Sequence, residues 1–134
     1  MGAQSWKMEV GINNTPAYQV SGRPYASGSI NATSPTYVSF PYVTRWVYVI
    51  NYGAEDCKVG FSQAGVDGGT EYFRVPRKDN QTPGYSQRLE LKVSQLWLSG
   101  SPEIDIVAGL TTIPARRTSV GDGLPNWSGS VGVG

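Results

Sequence analysis

Apolar and polar residues alternate with a period of two in several short segments, the pattern of strands with one face buried and the other in water. In Arg88-Leu89-Glu90-Leu91-Lys92-Val93-Ser94, Leu89, Leu91 and Val93 fall on one side, and Arg88, Glu90 and Lys92 on the other. A helix would scatter those residues around its circumference. Ile104 and Ile106 alternate in the same way with Glu103 and Asp105, and Cys57, Val59 and Phe61 with Lys58 and Gly60. The longest apolar run, from Tyr42 to Tyr52, is apolar at both parities, as in a strand covered on both sides. Core packing on both faces is the first expectation. Tyr42, Trp46 and Tyr48 are bulky for a sandwich interior, so the alternative is that part of the second face meets a neighbouring subunit.

Turn residues separate these runs at short intervals, among them Asn13-Asn14-Thr15-Pro16, Gly22-Arg23-Pro24, Asp67-Gly68-Gly69, Thr82-Pro83-Gly84 and Gly100-Ser101-Pro102. Strands are predicted at residues 5–10, 17–21, 25–31, 36–40, 44–51, 57–62, 71–75, 87–98 and 103–108. Such a series predicts an all-β domain over residues 1–110, a β-sandwich of about eight antiparallel strands that fits a single jelly roll or a Greek-key arrangement. Beyond Leu110 the alternation stops, so residues 111–134 are expected to form a Gly/Pro-rich C-terminal tail. The tail is either disordered or docked on a partner through Leu124, Trp127, Val131 and Val133.

Composition narrows the chemistry. The 134 residues include no histidine and a single cysteine, Cys57. That excludes an intrachain disulfide, Cys/His zinc patterns and the Ser-His or Cys-His nucleophile pairs. Cys57 shares a strand face with Val59 and Phe61 and is read as a buried small hydrophobe. A net charge of +1, with 16% charged residues, gives no global attraction to nucleic acid or to an anionic membrane. No basic segment followed by an apolar stretch opens the chain, and no apolar run approaches the ~20 residues of a membrane span. A soluble protein made inside the cell, without membrane insertion, is expected.

The candidate chemical sites all have simpler readings. Glu103 and Asp105 lie two apart on one strand face, at a spacing compatible with glycoside hydrolysis, yet alternating charges are also what a solvated strand face looks like. Glu55-Asp56 and Asp67-Gly68-Gly69 carry oxygen ligands without the spacing of a defined calcium loop, and read as turns. Gly121-Asp122-Gly123 lacks the context of a phosphate loop or dinucleotide fingerprint. No catalytic residue, metal or cofactor is therefore expected. Arg74, Arg77 and Lys78, with Tyr72 and Phe73, make a small basic-aromatic patch that reads as a solvated loop rather than a direct nucleic-acid site. Asn13, Asn31, Asn80 and Asn126 each begin an Asn-X-Ser/Thr motif and read as turn residues. The Trp and Tyr rings would suit a sugar platform if exposed, but Trp46 and Trp97 sit inside apolar runs.

The segment Val38-Ser39-Phe40-Pro41-Tyr42-Val43-Thr44-Arg45-Trp46-Val47-Tyr48-Val49-Ile50-Asn51 resembles the small single jelly-roll capsid proteins of large double-stranded DNA viruses, especially their penton (vertex) proteins. The resemblance implies a structural virion protein, made in the host cytoplasm, that forms a homopentamer at icosahedral fivefold vertices. Its neighbours would be major capsid proteins and minor capsid proteins. No functional motif of the family carries over to individual residues. The candidate subunit-interface residues are Tyr42, Tyr48, Tyr52 and Trp127, because large aromatics anchor interfaces effectively. The alternative functions are a minor capsid or decoration protein and a host-attachment, carbohydrate-binding β-sandwich.

Overall fold

The computed structural model describes residues 23–119 and 124–134. The predicted strands at 5–10 and 17–21 lie outside these. Eight strands follow in order: β1 (Pro24–Ala32), β2 (Thr36–Ser39), β3 (Tyr42–Asn51), β4 (Cys57–Gly60), β5 (Tyr72–Val75), β6 (Gly84–Tyr85), β7 (Gln95–Ser99) and β8 (Ser101–Pro114). A one-turn helix, α1 (Gln63–Val66), joins β4 to β5, and a 3-10 turn (Ala115–Thr118) follows β8. The Ser62 hydroxyl caps α1 by accepting the Gly65 N–H.

The strands form two antiparallel four-stranded sheets, ordered β1-β8-β3-β6 and β2-β7-β4-β5. The pairs are nested: β4 with β5, β3 with β6, β2 with β7 and β1 with β8. The chain is thus an antiparallel ribbon doubled at α1 and rolled so that successive pairs fall in opposite sheets. Further β3–β8 and β4–β7 pairing closes each sheet.

Alternation along each strand places the core between the sheets, making a β-sandwich. Val47, Val49, Ile104, Ile106 and Ala108 project inward from one sheet, and Val59, Val75, Leu96 and Leu98 from the other, all at most 1% exposed. Cys57 lies in the same core at 0% exposure, and burial pushes its thiol up to about 11.

Two predicted strands are corrected. Residues 87–94 are not a strand, which begins at Gln95. They lie extended along the free side of β3, with Leu89 and Val47 exchanging backbone hydrogen bonds of 2.9 and 2.8 Å. The Thr44 hydroxyl takes over further along, donating to Leu91 O and accepting from Val93 N. The alternation there is real because an extended chain on a sheet edge also has an inner and an outer side. In the second correction, the strand predicted at 103–108 runs from Ser101 to Pro114, past Leu110. Thr111 and Ile113 are buried, and the Thr111 hydroxyl donates to Val43 O at 2.7 Å.

Buried asparagines tie the two ends of the sandwich. At one end the Asn51 amide donates to Glu55 O and Val75 O and accepts from Gly53 N and the Ser101 hydroxyl. At the other, Asn126 (0% exposed) accepts from Ser94 N and Gln95 N and donates to Phe61 O and Gln95 O. Residues 124–134 are therefore tied to their own domain at Asn126, Trp127 and Val133, while Leu124 and Val131 stay exposed. The Ser62 hydroxyl donates to Val133 O, and the Trp127 indole N–H donates to Lys92 O.

Candidate functional site

Cross-strand partners project to the same side of a sheet, so the register defines what each outer face presents. On the β1-β8-β3-β6 sheet three rows point outward: Pro24, Gly109, Trp46; then Ala26, Val107, Tyr48; then Asp105, Ile50, Tyr85. Trp46, Tyr48, Ile50 and Val107 are half-buried, and Tyr85 is 58% exposed. The Trp46 and Tyr48 rings meet edge-on at 5.7 Å, and the Arg88 guanidinium lies 5.7 Å from the Trp46 ring centre. Gly109 creates the seat for Trp46, since a Cβ there would lie 2.5 Å from the indole nitrogen. A shallow depression of about 220 Å3 is lined by Ala26, Gly28, Ile50 and Val107, with the Asp105 side chain among them. The outward side chains of β3 itself, Trp46, Tyr48 and Ile50, are apolar or aromatic, as its two-parity pattern indicates, with Asp105 beside Ile50 and Arg88 beside Trp46.

The other sheet presents a different chemistry. One outward row reads Tyr37, Trp97, Gly60, Tyr72; a second, Ser99, Lys58, Arg74; a third, Ser39, Gln95. Trp97 thus projects away from the core that its neighbours Leu96 and Leu98 fill. Its ring lies 5.0 Å from that of Tyr37, tilted by 40°. Lys58 Nζ sits 4.7 Å and the Arg74 guanidinium 5.3 Å from the Tyr72 ring centre.

The four candidate interface residues are not brought together. Tyr48 stands on the outer face of β3. Tyr42 packs against the core with the Arg23 guanidinium 4.8 Å from its ring centre. Tyr52 follows the end of β3, 38% exposed, its N–H donating to Glu103 O. Trp127 packs against the chain's own core. Trp46, Ile50 and Tyr85, absent from the sequence-based set, are the neighbours of Tyr48, and counting alternate positions along β3 picks out the first two.

The remaining candidates resolve into structural parts. Asp105 Oδ1 accepts the N–H of Ser29, a residue with φ of 54° at a break in the β1 register; it holds a bulge. Asp56 accepts the Arg77 N–H. The basic-aromatic patch divides, with Phe73 packed against the core and Tyr72 and Arg74 turned outward. Asn31 forms an Asx turn to Thr33, Asn80 sits at φ 55° in the Asp79–Thr82 turn and Asn126 is the buried tie, while Asn13 lies outside the described residues. Among the described residues no group of three or more His, Cys, Asp or Glu is placed to hold a metal ion, and no helix is long and apolar enough to cross a membrane.

No protein-family model, curated protein or solved structure matches the chain.

Proposed function

We propose that the sandwich is a single jelly roll, and that the protein is a structural component of a viral capsid. It would be a penton protein whose five copies close at an icosahedral vertex against major and minor capsid proteins. The nested pairing of eight strands carries this reading: an antiparallel ribbon rolled into two facing sheets is the jelly-roll arrangement used by capsid domains. The same arrangement serves lectins and cupins. A chain without histidine lacks the metal ligands of the latter.

The outer face around Tyr48 supports assembly. Three strands about 4.8 Å apart over five or six residues, with the two-residue β6 beside them, offer roughly 300 Å2 of sheet face. That is the size of the largest patch on an ordinary monomer, and under half of the ~800 Å2 per partner of a standard interface. Loops at the strand ends, such as the one bearing Tyr52, would have to complete the contact. A ring of five needs two different patches on each copy, and this face supplies one of them.

Light scattering on the full chain tests the proposal. The expected mass is that of five chains, and Tyr48→Asp should reduce it to one while leaving the far-UV spectrum unchanged. A chain that stays monomeric at every concentration, and that is not incorporated when mixed with capsid shell proteins, would refute it.

A further inference from the structure

On the outer face of the β2-β7-β4-β5 sheet α1 covers the middle, where Gly60 is buried and a Cβ would lie 2.8 Å from Val66 Cγ1; aromatic and basic side chains stand on either side of it. Tyr37, on the edge strand β2, is 53% exposed, and its ring continues that of Trp97 into an open platform. In the same row, beyond Gly60, stands Tyr72, roughly 10 Å from Trp97 by the spacing of two strands. Lys58 and Arg74 converge on the Tyr72 ring, and Arg74 Nη2 also donates to the Tyr72 hydroxyl at 3.1 Å. No carboxylate projects from the outward positions of these four strands. Two positive charges are therefore held side by side on aromatic rings, neither in an ion pair among the described residues, while the carboxylate of Asp56, two residues before Lys58, accepts the Arg77 N–H; an anionic ligand would relieve this arrangement.

We infer that this face binds an acidic glycan. One sugar ring stacks through its C–H face on Trp97 and Tyr37, and a carboxylate or sulfate on the next unit reaches Lys58 and Arg74. The flanking groups, such as the Gln95 amide, are neutral donors and acceptors suited to sugar hydroxyls. A single-stranded nucleic acid would also stack on the platform. Two cations, however, would release counterions with a log–log salt slope of only about −1.4, far below that of a groove tracking a phosphate chain. The site does not depend on the capsid reading.

Isothermal titration of the full chain provides the test, with sialyllactose as the carboxylate probe, a chondroitin sulfate tetrasaccharide as the sulfate probe, and lactose and oligo-dT as controls. One acidic probe is expected to bind, and which one identifies the acid group. Trp97→Ala should weaken that binding at least tenfold. Tyr37→Ala, at a more exposed position less coupled to folding, should weaken it several-fold with an unchanged melting temperature. Lys58→Gln combined with Arg74→Gln should erase the preference over lactose. The inference is overturned if neither acidic probe binds at millimolar concentration, if lactose binds as well as they do, if only oligo-dT binds, or if binding survives the loss of Tyr37.

Discussion

Replacing Asn126 by alanine removes one side chain and unties four backbone groups. The amide satisfies Ser94 N at 2.7 Å, Gln95 N at 3.0 Å, Phe61 O at 2.6 Å and Gln95 O at 2.9 Å, inside a site with no exposed surface. A buried donor or acceptor left without a partner costs about 1–3 kcal/mol. Four such costs do not add fully, because part of the site can relax or admit water. Asn126 also holds φ of 55°, where alanine is disfavoured relative to asparagine. About 3–5 kcal/mol is the expected loss, a large share of the roughly 5–15 kcal/mol that holds a domain together. Urea unfolding followed by tryptophan fluorescence should show the midpoint falling with little change in slope, and the melting temperature falling by about 10 °C or more. A loss below about 1 kcal/mol would mean that residues 124–134 are not bound into the domain. Cutting the chain after Leu110 would be a poor test of assembly for the same reason. It removes Thr111 and Ile113 from β8 along with the Asn126 tie.

Two further outcomes follow from particular side chains. Cys57 is protonated in the fold up to about pH 11, whereas an exposed thiol ionises near 9. The folded state then holds the extra proton, so this contribution is complete below pH 9 and is lost as the pH rises toward 11, on the order of 2–3 kcal/mol; Cys57→Ala should flatten that part of the stability–pH curve, and an unchanged curve would show the thiol is not buried as described. Gly109→Ala should displace the Trp46 indole and cost about 1–3 kcal/mol, visible as altered near-UV circular dichroism; an unaltered spectrum would contradict the close contact.

Most strands were legible because alternation and turn residues coincide. Val38, Val47, Val49, Val59, Val75, Ile104 and Ile106 all point inward as their spacing predicts. Alternation alone could not tell residues 88–94 from a strand, since it reports an extended chain beside a surface and not its hydrogen-bond partner. The end of β8 was missed because Thr111 is polar by type, and only its partner, Val43 O, makes its burial favourable. Trp97 was hidden by counting the run Leu96-Trp97-Leu98 as uniformly apolar, when period two sends its middle member outward. Asn126 lies in a Pro-Asn-Trp-Ser segment that looks like any turn; what it ties together lies far away in sequence, and one-dimensional reading has no access to that.

The nested pairing also dictates an order of events when the chain folds. Cys57 has to find Val75, a short excursion around α1, whereas Pro24 has to find Gly109. The entropic cost of closing each loop rises by about 0.6 kcal/mol per doubling of its length, and every inner pair that forms shortens the loop remaining for the next. Zipping outward from the β4–β5 hairpin is therefore the cheapest route, and β8, with Ile104, Ile106 and Leu110, is among the last to be covered. Until then it is an unpaired apolar edge able to join a sheet of another copy. A chain made at high local concentration would face that hazard until β1 pairs with β8, so the speed of this last closure governs how much of it reaches the folded state.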